Sequence, residues 1–181
     1  MFKKILKIFF AVFCITGILY LALPGNTFPE PPPGSLQSQE PADLETPLRR
    51  GYFTNLSREE VLLWYEKQFD HASFMGIKLP TILLNYPPET AQILIRDQTS
   101  STFLQEFVHP FRESLYINGF KPPSENNKPI FFVGEKPWQQ KIIIRYVPSS
   151  VWVREGLFIV SMLMVAVIYN AFANLLRKKN E

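Results

Sequence analysis

One cysteine, two histidines and eight glycines, no two of them at Gly-x-Gly spacing, leave this chain of 181 residues short of most chemical signatures. With Cys14 alone, no disulfide forms within the chain, so a folded part exposed to an oxidising compartment must be held by its core. Val12 and Phe13 are too bulky to precede a lipoprotein processing cysteine, and Cys14 reads as a buried, inert thiol. The glycines provide no phosphate-cradling loop, Gly-x-Ser-x-Gly is missing, and no internal repeat is present.

Charge is missing from two stretches, residues 8–23 and 156–176. A helix of about 20 apolar residues crosses the hydrocarbon core because it satisfies every backbone amide internally. The second stretch meets that length, and the first does so if Lys7 snorkels. Lys3, Lys4 and Lys7 precede the first span, and no Lys or Arg follows for 25 residues beyond Leu23, which places Met1 in the cytoplasm. A cleaved signal peptide is the competing reading of the first span, but the sequence before Pro24 lacks the small-x-small pair of a cleavage site. Tyr20 and Trp152 read as interfacial anchors. Ala166, Asn170 and Ala173 fall on one face of the second span, where small residues and an amide suit a partner helix.

The net charge of +3 is concentrated at the ends. Between Pro24 and Glu155 there are 13 basic against 15 acidic residues, so the central part offers no footprint for nucleic acid. Seven of the 24 residues from Pro24 to Pro47 are proline, the composition of an extended spacer. The expected organisation is therefore a tail and first span over 1–23, a Pro-rich extracytoplasmic linker over 24–50, and a folded domain over 51–147. A juxtamembrane connector over 148–155, a second span over 156–176 and a cytoplasmic tail over 177–181 complete it.

Within the domain, Ser57 and Glu60 form a capping box ahead of the helical stripe Val61, Trp64, Tyr65 and Phe69, with Leu56 and Val61 spaced as a hydrophobic staple. Residues 79–86 read as a strand between prolines, residues 89–97 as a helix, and the segment through Leu104, Phe107 and Val108 as a second helix ending before Pro110. Residues 113–120 read as a strand on the alternation of Leu115 and Ile117, with a helix closed by Gly119 and Phe120 as the alternative, and residues 130–133 and 139–147 as a hairpin around Gly134-Glu135-Lys136-Pro137. Ile142, Ile144 and Tyr146 share one face of its second strand, and Lys141, Ile143 and Arg145 the other. The pattern indicates an α+β fold, a small, mostly antiparallel sheet with two or three helices on one face, flanked by the two transmembrane helices.

Candidate chemistry is sparse. Glu106, His109 and Glu113 resemble the Glu-x-x-His spacing of a helical di-metal site, but His71 is the only other histidine and Pro110 breaks the helix, leaving His109 at a partly exposed helix end. No cofactor or metal is expected. Arg96 and Asp97, followed by four hydroxyl or amide residues that include Ser100 and Ser101, form a polar break that could hold an anion. The expected function is a non-catalytic binding or scaffold module of the cell envelope, partnered by the bilayer and another membrane or envelope protein. The alternative is an extracytoplasmic hydrolase using His109 with nearby Ser, Asp or Glu residues. Protease added to intact cells or spheroplasts is expected to cut between Pro24 and Arg50 and spare both tails. Cleavage of the Met1 end from outside, or mature protein lacking the first span, would contradict two spans.

Overall fold

The computed structural model describes residues 2–70, 73–74, 77–95, 101–121 and 131–179. In chain order its elements are α1 (Phe2–Ala22), β1 (Leu36–Gln37), a 3-10 turn (Pro41–Asp43), β2 (Arg49–Thr54), α2 (Arg58–Phe69), β3 (Ser73–Phe74), β4 (Ile77–Lys78) and β5 (Ile82–Tyr86). A second 3-10 turn (Pro88–Thr90), α3 (Ala91–Leu94), β6 (Ser101–Val108), β7 (Ser114–Phe120), β8 (Phe131–Val133), β9 (Lys136–Trp138), β10 (Gln140–Val147) and α4 (Val151–Lys179) follow. They fall into two units, Met1–Gly25 with Ser149–Glu181, and Asn26–Pro148.

The central unit is α+β, built on a six-stranded antiparallel sheet in the order β1-β2-β10-β7-β6-β5. Because successive side chains alternate across a sheet, β10 presents Ile142, Ile144 and Tyr146 to one face and Lys141, Ile143 and Arg145 to the other, as the sequence alternation indicates. On the first face Val61, Tyr65 and Phe69 of α2 pack with Tyr52, Phe103, Phe107, Leu115 and Ile117 into the main core. Burying each such side chain contributes about 1.5–3 kcal/mol. On the second face Leu104 and Ile143 pack with Ala91 and Ile95 around α3. The helices of the unit thus lie on both faces of the sheet, not on one.

The capping box forms as read. Ser57 Oγ accepts from the Glu60 amide at 3.3 Å and Glu60 Oε2 accepts from the Ser57 amide at 2.7 Å, which satisfies two orphan donors of α2. Leu56 packs against the core that holds Val61.

Four local readings are corrected. The segment taken as a second helix is strand β6: Phe103 and Phe107 pack toward α2 while Leu104 packs toward α3, so burial on both faces supplies apolar residues at spacings that imitate a helix. Of the helix expected over 89–97, the described residues, which end at 95, form a 3-10 turn followed by the single turn α3. The hairpin partner of β8 is β9, joined through Gly134 and Glu135, both with φ near +60°, the two-residue loop whose twist matches that of paired strands. β10 instead pairs with β2 and β7. Lastly, α4 starts at Val151, so the connector expected over 148–155 shrinks to residues 148–150; no helix breaker occurs between Val151 and Gly156.

The Pro-rich segment is fastened to the unit from Asn26 onward. Asn26 Nδ2 donates to the Phe69 carbonyl at 2.8 Å, and its own carbonyl accepts from the Tyr146 hydroxyl at 2.6 Å. The Glu30 carbonyl accepts from Trp64 Nε1 and Gln68 Nε2, while the Glu30 amide donates to Gln68 Oε1 at 2.7 Å. Phe28 packs on the main core, and β1 pairs with β2. Lys141 Nζ lies 2.7 Å from both Glu40 Oε2 and Asp43 Oδ2, with Asp43 and Lys141 almost wholly buried. Asp43 sits against Gly51, where a Cβ would come within 2.5 Å of its carboxylate, so only glycine fits. Composition marked this stretch as a spacer because proline suppresses helix and ladder; its polar groups find partners on α2 and β10 instead.

In the other unit, residues Lys4–Ala22 and Val151–Leu176 are each helical, long and apolar enough to cross a membrane. α1 and α4 pack on one another where Gly17 leaves room for the Phe158 ring, and Phe13 and Phe158 have ring centroids 6.1 Å apart. Arg154 Nη2 donates to the Leu23 carbonyl at 2.7 Å, capping a C-terminal carbonyl of α1. Replacing Ser57 with alanine is expected to lower the stability of the central unit by about 1 kcal/mol, and Ser57→Thr by less, read from thermal unfolding of the detergent-solubilised chain.

Candidate functional site

Two of the sequence candidates separate because the segment is a strand and not a helix. Residues 106 and 109 differ by an odd number, so β6 sends Glu106 to the α3 face while His109, the residue after its end, lies on the α2 face against Phe69. Glu106, His109 and Glu113 therefore do not converge, and among the described residues no group of His, Cys, Asp or Glu has the arrangement of a metal site.

His109 and Glu113 do meet, in the turn between β6 and β7. The His109 amide donates to the Glu113 carbonyl at 3.1 Å and the Arg112 amide to the His109 carbonyl at 2.9 Å, closing a four-residue turn over Pro110 and Phe111. His109 Nδ1 lies 2.9 Å from Glu113 Oε1, and Arg112 approaches the same carboxylate through Nη2 at 3.0 Å and Nε at 3.4 Å. The imidazole stacks on Phe69 with ring centroids 4.2 Å apart. His109 and Glu113 are both 0% exposed, which corrects the partly exposed helix end expected for His109. Among the described residues His109 Nε2 has no hydrogen-bond partner. Burial alone would raise the Glu113 carboxyl, but the His109 hydrogen bond and the Arg112 charge outweigh it and hold the pKa below the usual carboxylate value.

Phe111 forms the tip of this turn with φ +61° and is 87% exposed. The third position of a turn with proline second and positive φ third is normally glycine or asparagine, so a phenylalanine there is strained. Sequence reading passed over Phe111 and Arg112; the signal available was Pro110-Phe111-Arg112 between two polar candidates, a turn tetrapeptide with a bulky third residue.

Glu106 is held on the opposite face by phenols. Tyr86 Oη donates to Glu106 Oε2 at 2.5 Å, and this bond pushes the Tyr86 pKa up to about 12. Burial, then Glu106, push Tyr116 up to about 12 as well, so both phenols stay protonated at neutral pH. In the same row Arg49 and Arg145 oppose each other across β2 and β10 and line an open cavity of about 540 Å³ with Ile93 and Ile95. Arg145 donates to the Leu94 carbonyl, and Arg49 lies 3.7 Å from Glu45.

Ser101 bonds to Asn118 at the far end of β6, roughly 25 Å along the strand from His109, so these two residues do not form a nucleophile and base pair. Arg96, Asp97, Ser100 and His71 lie outside the described residues. On α4, Ala166 is half-buried, whereas Asn170 and Ala173 are exposed. No family model, curated protein or solved structure matches this chain.

Because the folded pKa of Glu113 is lowered, its stabilising contribution is complete above the ordinary value of 4.5 and fades as the pH falls through the folded value. Glu113→Gln is expected to cost about 3 kcal/mol at pH 7 by leaving Arg112 buried beside a neutral amide, and the gap to wild type should narrow below pH 4.5. Thermal unfolding midpoints across that pH range provide the measurement.

Proposed function

We propose that this chain is a membrane-anchored module that holds its central unit outside the cytoplasm and binds another membrane or envelope protein without catalysing a reaction. Both termini lie in the cytoplasm in this reading, as the lysines before the first apolar helix favour. The observation that carries the non-catalytic part is the fate of His109. The imidazole on which a hydrolase would depend is packed under Phe69, 0% exposed, and bound to a carboxylate that Arg112 also engages, the arrangement of a brace for a turn.

Short links support a partner near the membrane. Residues 23–25 separate α1 from the central unit and residues 148–150 separate it from α4, so each link spans at most roughly 14 Å between its flanking residues. Asn170 and Ala173 on the exposed side of α4 suit a partner helix that Ala166 would let approach closely.

One observation favours the hydrolase reading: His109 Nδ1 lies beside the Glu113 carboxylate while Nε2 finds no hydrogen-bond partner among the described residues, the spatial arrangement of a triad histidine. Crosslinking with mass spectrometry in native membranes separates the two. A module should crosslink to a membrane or envelope protein, and a paired insertion of about 20 Gly/Ser residues after Gly25 and after Ser150, enough to extend each link by roughly 65 Å, should deplete that partner. His109→Gln should leave the crosslinks in place. Equal partner recovery with the insertion would refute a membrane-proximal module, and loss of activity in folded His109→Gln would favour the enzyme.

A further inference from the structure

The turn that His109, Arg112 and Glu113 brace stands at one particular end of the sheet. Ser114, the first residue after it, pairs with Val108 on β6 and with Val147, the last residue of β10. Only residues 148–150 separate Val147 from the start of the apolar helix α4. The chain also enters at this end, because Asn26 is bound by the Phe69 carbonyl and by the Tyr146 hydroxyl, and Phe69 stacks on His109. Both short links to apolar helices therefore leave from the end of the sheet that carries Phe111.

That end also exposes three apolar side chains. Phe111 is 87% exposed at the turn tip, Ile93 is 82% exposed beside Val147 and Pro148 in the cavity wall, and Ile82, opposite Val108, is half exposed. For a water-facing turn, phenylalanine is the wrong residue twice: glycine would adopt φ +61° without strain, and a polar side chain would not expose a ring to water. Three buried side chains nevertheless hold the turn in that shape. A phenylalanine kept under strain at a rigid tip is suited to an apolar surface that is always close by, and the covalent links make the bilayer such a surface.

We propose that Phe111 is a membrane-dipping anchor, inserted into the headgroup and acyl boundary of the outer leaflet, with Ile93 and Ile82 flanking it at the surface. This rests on the two-span reading. The occupant is lipid, because an aromatic ring gains most where one side is hydrocarbon and the other is wet, and because the turn offers no charged tip to select a partner: Arg112 and Glu113 are buried against each other. The anchor would fix which side of the central unit faces away from the membrane, leaving the opposite end, with the β8–β9 hairpin, for contacts in the aqueous space.

The test uses the full chain in lipid bilayer nanodiscs. In a Cys14→Ser background, single cysteines replace Phe111, Phe132 on β8 of the far hairpin, or Val160 within α4, and each carries a nitroxide. Phe111 and Phe132 are both exposed, so neither label disturbs the core. Power saturation with oxygen, which partitions into lipid, and with a water-soluble nickel chelate reports where each label lies. The expected result is a several-fold higher oxygen-to-nickel ratio at 111 than at 132, with 160 higher still. A label at 111 as accessible to nickel as the one at 132, while 160 remains in lipid, overturns the anchor and leaves the spans standing. Nickel access at 160 overturns the two-span reading and the anchor with it.

Discussion

The central unit depends on β10, the last strand in the sequence and a middle strand in the sheet. Remove it and the sheet falls into β1-β2 on one side and β7-β6-β5 on the other, because these groups share no ladder. The same eight residues contribute Ile142, Ile144 and Tyr146 to the main core and Ile143 to the second. Their polar side chains fasten what lies further out: Gln140 bonds the Leu56 carbonyl ahead of α2, Lys141 clamps Glu40 and Asp43, and Tyr146 holds Asn26. Each layer of the unit meets at one strand, so its alternation of faces decides which residues belong to which layer.

Parity along β6, two places from β10 in the sheet, explains why two carboxylates so close in sequence have different surroundings. Glu106 faces the side where Tyr86 and Tyr116 supply neutral hydroxyls, whereas Glu113, across the turn, meets an imidazole and a guanidinium. A buried carboxylate has to be paired or hydrogen-bonded, and the two faces meet that requirement by different means. The ion cluster is confined to the turn, where regular ladder bonds end and side chains must define the backbone path.

Elements announced by local chemistry were legible in the sequence. The box at Ser57 and Glu60, the Val61-Tyr65-Phe69 stripe, the alternation of Leu115 and Ile117, and the faces of β10 each follow from residues within one turn or one strand. What escaped was decided at longer range. β6 is apolar on both faces because both are covered, and that hides its period of two. The same distance effect concealed the Arg112 pairing with Glu113, which needs the turn, and the Lys141 clamp, which joins residues about a hundred positions apart. Gly17 was visible as a small residue in an apolar span, but nothing local named Phe158 as its neighbour.

The proline content of residues 24–47 has a consequence for entropy. An ordinary chain that lies along a folded surface gives up about 1–2 kcal/mol of backbone freedom per residue. Proline has little of that freedom even when unfolded, and a run such as Pro31-Pro32-Pro33 is already extended before it touches anything. A few hydrogen bonds at Asn26 and Glu30 and one buried lysine then suffice to seat a segment that has almost no secondary structure of its own. The stiffness that makes such a stretch read as a spacer is what allows it to serve as a pre-formed splint.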